Sequence, residues 1–389
     1  MKIPQYIEEI ISTVNKNGYE AYVVGGAVRD NLLNITPTDY DVTTSCPPEK
    51  IISLFDNTVP TGLKHGTVTV IKNKIATEVT TYRIDGNYSD ARSPDSVEFT
   101  NNLSLDLSRR DFTINAMAYS SEAGLIDLFC GTEDIKNKII RTVGDPKKRF
   151  CEDALRILRA IRFACQLNFS IEKNTLSAAL KYAGTLSKIS KERVFTELSK
   201  ALLGECGDML EFFIKNGGLE FLGINSAQSL KPIYKAPKNL ASRFFMFFVL
   251  TDANFGKISS ELKFSNNLHS NVSALLDLNG EILNDDKITL KHLLNKYSPV
   301  VLEEYLECLS ILYNRDVSKI LDKINEIIDN NEVYKISMLD ISGNDLLTLG
   351  FKGEIIGIIL NDLLNQCIID PKYNNQAVLI DFIKSKYSN

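Results

Sequence analysis

The strand-forming pattern of this chain largely fades from Ile135 onward, and that single change constrains its architecture more than any other feature. Before it, short β-branched runs bounded by turn residues alternate with helical patterns; after it, apolar residues recur at helical spacing. Strands confined to one end and helices filling the rest read as an α+β chain. At 389 residues the chain is too long for one ordinary core, so two to four modules are expected.

Within the mixed part, the stretch from Val23 to Thr44 is the most informative. Tyr22, Val23 and Val24 form a short strand-like run that ends at Gly25-Gly26, a strand turning sharply into a helix start. Backbone amides at such a turn, with Arg29 behind them, suit phosphate oxygens. Downstream, Asp39 and Asp41 sit two apart among Thr38, Tyr40, Val42, Thr43 and Thr44, so on a strand both carboxylates project from one face. Two parallel anions repel unless a cation lies between them. Carboxylates that leave room for substrate phosphate suit Mg²⁺. A polar turn after Pro37 carrying two solvated acids is the competing reading.

Residues 1 to 20 read as an amphipathic helix with Ile7, Ile10, Ile11 and Val14 on one side. Pro47-Pro48-Glu49 opens a helix to Phe55. Gly66 to Ile71 and Ile75 to Arg83 read as two strands joined at Lys72-Asn73-Lys74. Glu78 lies inside the second strand, where it either faces solvent or completes the site begun by the Asp pair. Residues 84 to 104 are polar and turn-rich, a mobile loop beside the sheet by this reading. Arg109-Arg110 then precede a short apolar helix. They form either a triphosphate clamp or a solvated cap with an Arg–Asp pair.

The formal net charge of −5 is unusual for a nucleic-acid binder unless basic groups are concentrated locally, and Lys136 to Arg162 supplies that concentration. Arg149 to Phe163 reads as one continuous helix on which Asp153 and Arg156, three apart, are surface neighbours. Arg162 points well away from Asp153, because a row spaced by three slips by roughly 60° per step. An exposed ion-paired face backed by Leu155, Leu158 and Ile161 is the competing reading. Seven scattered cysteines suggest neither a zinc site nor a disulfide framework. The start lacks a signal peptide's apolar core, and the longest apolar run, Phe244 to Leu250, is too short to span a bilayer. The expected setting is cytoplasmic, without a membrane partner.

Taken together, these blocks resemble one family. Gly25-Gly26-Ala27-Val28-Arg29-Asp30, the Asp39/Asp41 pair, Glu78 to Arg83, Arg109 to Ala116 and Glu152-Asp153-Ala154-Leu155-Arg156 occur in the order and spacing of the class II tRNA nucleotidyltransferases and bacterial poly(A) polymerases. The resemblance is closest to the bacterial CCA-adding members. Thr61 to Thr67, Val143-Gly144-Asp145-Pro146 and Ser190-Lys191-Glu192-Arg193-Val194 agree with it. Ile341 to Leu346, Gly350, Gly353, Leu363-Leu364 and Asn374 continue it sparsely into the tail.

The resemblance implies a polymerase-β-like nucleotidyltransferase head over residues 1–136 and three helical parts: a neck for nucleobase recognition (137–205), a body (206–290) and a tRNA-binding tail (291–389). It implies addition of C, C and A to a tRNA acceptor end from CTP and ATP without a nucleic-acid template. Asp39 and Asp41 would hold Mg²⁺, with Glu78 a third carboxylate. Gly26, Arg29, Arg110, Arg159 and Arg162 would bind the triphosphate. Asp153 and Arg156 would stand in for a template base. Cytosine and adenine both present an exocyclic amine beside an unprotonated ring nitrogen, whereas uracil and guanine present a carbonyl beside a protonated one. A carboxylate and a guanidinium therefore suit the first pair and repel the second. Lys231, Lys235, Lys238 and Arg243 are candidate RNA contacts. A homodimer is the assembly left open. Three alternatives remain: a poly(A) polymerase, an enzyme adding only CC or only A, and a non-catalytic tRNA-binding module. The look of Arg83 to Phe99 favours the full activity.

Overall fold

The computed structural model describes residues 1–86, 88, 96–281 and 283–387. Part of the expected loop between 84 and 104, including Asn87, Ser89, Asp90, Ser93, Pro94 and Asp95, lies outside the described residues. Two compact units are present, Met1–Tyr234 with Leu250–Lys263, and Lys235–Val249 with Phe264–Asn389.

The strands all fall in the first unit: β1 (Ala21–Val24), β2 (Asp41–Thr44), β3 (Thr58–Gly62), β4 (Thr67–Lys72), β5 (Ile75–Thr81), β6 (Arg83–Asp85), β7 (Val97–Phe99), β8 (Met117–Ser120) and β9 (Gly124–Asp127), with two-residue strands at Ile139–Ile140 and Ser170–Ile171. Among the described residues, seven of them build one mixed sheet in the order β3-β4-β5-β2-β1-β8-β9. Within that sheet the described pair β2 and β5 runs parallel, with Val42 opposite Val79, and the other pairs run antiparallel. β1 lies antiparallel to β2, pairing Val24 with Asp41.

Strand residues alternate between faces, so Val23 and Val24 enter different cores. On one face, α1 (Gln5–Lys16), α2 (Gly26–Leu32) and α3 (Pro48–Leu54) pack Ile7, Ile10, Ile11, Val14, Val28 and Ile51 against Val23, Val42, Val68 and Val79. Each such side chain contributes roughly 1.5–3 kcal/mol when fully buried. On the other face, α4 (Leu103–Ser108) packs Leu107 with Val24 and Ala118.

One expected strand needs correction here, and one strand went unforeseen. The strand expected over Ile75 to Arg83 ends at Thr81, and Arg83 opens β6, which pairs with β7 in a separate two-stranded sheet. Its neighbour β4 begins only at Thr67, opposite Thr80, so the ladder on that side has run out. β3 was not foreseen, because Val59-Pro60-Thr61-Gly62 carries a proline without an amide donor. Such a strand survives only at a sheet edge, which is where β3 lies.

Behind the sheet come α5 (Gly131–Asn137), α6 (Pro146–Glu152), α7 (Leu155–Leu167), α8 (Lys173–Tyr182) and α9 (Lys191–Leu202). α7 packs on α9, and α6 on α8. Leu155, Leu158 and Ile161 are buried as expected. The single helix expected from Arg149 to Phe163 is instead broken at Asp153, whose backbone is extended (φ −141°, ψ 105°). The Asp153 side chain accepts the Leu155 N–H at 3.0 Å, and this local bond competes with continuing the helix.

The described part of the second unit is helical. Its core gathers Ile341, Leu346, Ile359, Leu363, Leu364, Cys367, Leu379 and Ile383. The tail block at Ile341 to Leu346 proves to be a helix start, with Ser342 and Asp345 forming a reciprocal capping box. Asn374 bridges two backbone groups, donating to Met338 O at 3.1 Å and accepting from Asp340 N at 2.9 Å. Arg243, one of the expected RNA contacts, is instead 1% exposed and donates to the Ala236 and Pro237 carbonyls, so it faces inward. Among the described residues, no helix is long and apolar enough to cross a membrane.

Candidate active site

The site is built where β1 ends and β2 begins. Gly25 caps α2 with φ 73° and ψ −132°, a conformation open essentially to glycine alone. A Cβ there would lie 3.3 Å from Arg110 Nη1, so the guanidinium rests directly against the turn. Asp41 opens β2 across from Val24. Asp39 lies just ahead of the strand, so the alternation argument reaches only Asp41; Asp39 sits in irregular backbone after a bend at Thr38, whose hydroxyl donates to Asp39 Oδ2 at 3.2 Å.

Glu78 is exposed on β5, one residue before the Val42–Val79 register pair, and thus beside Asp41 on the neighbouring strand. The Asp41 carboxyl is pushed above its ordinary range, first by partial withdrawal from water, then by Glu78 and Asp39, with Arg110 opposing. Asp41 is nevertheless exposed at the surface, so its carboxylate stays open to a ligand. A crowded, all-oxygen donor set of this kind suits a hard divalent cation. Among the described residues, no three His, Cys, Asp or Glu side chains form a ready-made metal cage. Mg²⁺ does not require one, since it takes one or two carboxylates and completes its shell with water and substrate phosphate.

The arginines are held by a polar network that the sequence did not reveal. Asp106 on α4 is fully buried and receives Arg109 Nη2 at 2.7 Å, Arg110 Nη2 at 3.4 Å and Thr43 Oγ1 at 3.1 Å. Burial alone would raise the Asp106 carboxyl, but Arg109 and Arg110 outweigh it and hold it below its ordinary value. The two readings of Arg109-Arg110 thus divide. Arg109 turns to Asp106 and Asp85, while Arg110 faces the glycine turn with its Nε buried and lacking a partner among the described residues. The i, i+3 and i, i+4 spacing from Asp106 was the available signal.

Arg29 is also buried. It donates to Asp30 Oδ1 at 2.8 Å and Asn115 Oδ1 at 2.7 Å. Asn115 in turn donates to Asp111 Oδ1 at 3.0 Å, and Arg159 Nη2 lies 2.6 Å from Asp111 Oδ2. Burial pushes Asp111 up, yet Arg159 and Asn115 prevail and hold it far below the usual carboxylate range. Three guanidinium groups surround the Phe163 ring, Arg162 at 4.0 Å, Arg29 at 4.8 Å and Arg159 at 5.5 Å from its centroid. Arg162 Nε lies 2.7 Å from Glu197 Oε2, an ion pair by distance whose angle is poor for a hydrogen bond. Burial pulls the Arg162 guanidinium down to about 10, with Glu197 opposing. Arg162 is buried and Arg159 half-buried, and both are built into the junction of α7 with its neighbours.

The expected pairing of Asp153 with Arg156 on one helix face does not hold. Arg156 Nη1 donates to Glu152 Oε2 at 2.6 Å, and its Nη2 donates to the Arg109 carbonyl at 3.2 Å. Asp153 instead receives Arg193 from α9, Nη2 to Oδ2 at 2.8 Å and Nη1 to Oδ1 at 3.4 Å. The helix break between them is why a spacing of three does not bring them together. Arg193 and Asn115 lie in sequence blocks already singled out, but their partners, like the parts played by Phe163 and Glu197, emerge only through the fold.

Comparisons with known proteins identify the family. The family description Poly A polymerase head domain matches residues 21–141. Those for RNA and SrmB binding in polymerase A and for tRNA nucleotidyltransferase domain 2 match residues 168–210 and 240–383. The chain is 35% identical to the CCA-adding enzyme of Leuconostoc mesenteroides, covering 99% of this chain and 98% of that protein. It is 36% identical to that of Enterococcus faecalis at the same coverage. The crystal structure of the Bacillus stearothermophilus CCA-adding enzyme in complex with CTP superposes with a TM-score of 0.83 at 28% identity, covering 99% of each chain.

Proposed function

We propose a division of labour on one premise: the chain belongs to the CCA-adding enzymes, and its activity is nucleotidyl transfer to tRNA. The substrates are a tRNA acceptor end, CTP and ATP, and no nucleic-acid template directs the order of addition. The observation that carries this reading is the carboxylate group at the glycine turn, with Arg110 laid against the same turn.

In this reading Asp39 and Asp41 hold Mg²⁺, with Glu78 as a third carboxylate beside them. When bound, two Mg²⁺ ions would favour ionisation of the tRNA 3′ hydroxyl and offset charge on the departing pyrophosphate in an in-line displacement. The protein's own part is to present oxygen donors and to neutralise the triphosphate. The amides at Gly26 and the guanidinium groups of Arg29 and Arg110 face that triphosphate, with Arg159 and Arg162 behind them. Arg110 suits the task, because burial already disfavours its charge and Asp106 offsets only part of that cost.

Asp153 and Arg156 read the incoming base. Each is presented by its own element, Asp153 from the break and Arg156 from α7, and each gives up or shares an existing partner when a base arrives. Residues 1–136 serve as catalytic head, 137–205 as neck, and 206–290 and 291–389 as body and tail. The tRNA is gripped through phosphates and shape, since a paired A-form stem hides its base edges, so its dissociation constant should rise steeply with salt. The setting is cytoplasmic.

The deciding experiment offers a tRNA lacking its last three nucleotides with labelled CTP, ATP or both, followed by sequencing of the product. Ordered addition of C, C and A upholds the reading. A run of A, addition that stops at CC, or addition of A alone to a CC end would each replace it.

A further inference from the structure

We infer that Arg193, from the block Ser190 to Val194 on α9, is a positioning residue that determines nucleotide selectivity by fixing the carboxylate of Asp153. The inference rests on reading Asp153 as the acceptor for the base amine. The cap bond from Leu155 N to Asp153 Oδ1, at 3.0 Å, ties down one oxygen only. A carboxylate held at one oxygen still swivels about that bond. Arg193 removes this freedom by engaging both oxygens, Nη2 on Oδ2 at 2.8 Å and Nη1 on Oδ1 at 3.4 Å. A planar fork of this kind fixes the plane of a carboxylate, which a single ammonium does not do.

The fork is itself held firmly. Arg193 stands at the start of a 12-residue helix that packs on α7 and buries Val194, Leu198, Ala201 and Leu202. Its partner is equally confined: the Asp153 side chain is 15% exposed and that of Arg193 27%.

The consequence concerns lone pairs. A carboxylate offers about four acceptor positions. Three are taken by Leu155 N and the two Arg193 nitrogens, which leaves a single acceptor direction for an incoming base. The amine of cytosine or adenine fills it. The carbonyl of uracil or guanine meets it oxygen to oxygen, and a carboxylate that cannot rotate has no means of turning aside. Loosening the carboxylate relieves the wrong base more than it harms the right one. Selectivity should then fall even in a folded, active enzyme.

The test is the ratio of kcat/KM for CTP to that for UTP, on a tRNA lacking its last three nucleotides. It compares wild type, Arg193→Met, Arg193→Lys and Asp153→Asn. A ratio is independent of the fraction of molecules that are folded, so partial misfolding does not obscure it. The inference expects the ratio to fall about tenfold in Arg193→Met, the order of discrimination a well-placed base contact supplies. Arg193→Lys, which keeps the charge but loses the fork, should lie in between. A purely structural Arg193 would lower both substrates by one factor and leave the ratio unchanged, which overturns the inference. If Asp153→Asn also leaves the ratio unchanged, the base-reading role of Asp153 fails instead. If Asp153→Asn relaxes selectivity while Arg193→Met does not, only the inference fails.

Discussion

Arg159 and Asp111 lie 48 positions apart, yet the Arg159 guanidinium approaches Asp111 Oδ2 to 2.6 Å, joining α7 to the segment that leads into β8. Asp111 spends its other oxygen on Asn115, which also receives Arg29 from α2. A single chain of polar contacts therefore links the glycine-turn helix to the helix that follows the Asp153 break.

This chain of contacts sets a stability expectation. Asp111→Ala leaves Asn115 and Arg159 without their shared acceptor, and loosens the Asn115 amide that in turn receives Arg29. It should cost about 3 kcal/mol, the low end for breaking a buried pair, because the Arg159 side chain is 34% exposed. The folded-state pKa of Asp111 is depressed, so its contribution is complete above the unfolded-chain value of about 3.9 and drains away as pH falls through the lower folded value. Urea unfolding at pH 7 should show the full difference between wild type and variant, and acid titration should show the curves converging below about pH 4. A difference that persists undiminished at lower pH would contradict the assignment.

Gly25→Ala combines two penalties. A side chain at φ 73° and ψ −132° is strained by about 1–3 kcal/mol, and its Cβ would press on Arg110 Nη1. The expected result is a modest drop in melting temperature with a disproportionate rise in KM for both CTP and ATP. Equal KM values with only a stability loss would mean that Arg110 does not meet the nucleotide.

Asp41→Asn should separate stability from function. Asp41 is raised by partial burial and by its acidic neighbours, so neutralising it relieves repulsion in the metal-free protein. Metal-free Asp41→Asn is expected to melt at or above the wild-type temperature while kcat falls by about 10³-fold, the scale of several kcal/mol of lost charge stabilisation. Activity near wild type would exclude Asp41 from the chemistry.

Exchanging the base-reading pair, Asp153→Arg with Arg156→Asp, should move preference towards UTP and GTP. The fold adds a cost, since the new arginine meets Arg193 and the new aspartate meets Glu152. A lower melting temperature and a lower kcat should therefore accompany the altered preference. Incorporation of all four nucleotides measures it, and an undisturbed preference for C and A would refute the pairing.

What sequence by itself determined is local. The strand run into Gly25-Gly26, the apolar stripe of α1, Pro48 opening α3 and the switch to helices after Ile135 are each decided by neighbours within a few residues, where backbone sterics and burial period act directly. The order of the motif blocks likewise pointed to the family. Tertiary structure alone decided which charges meet. Arg29 finds Asn115 across 86 positions and Arg193 finds Asp153 across 40, and no periodicity encodes such distances. The break at Asp153 shows the two levels in conflict. A helical pattern ran straight through it, but a side chain that caps its own backbone and is pinned by a distant arginine outweighs the small propensity of one more helical residue.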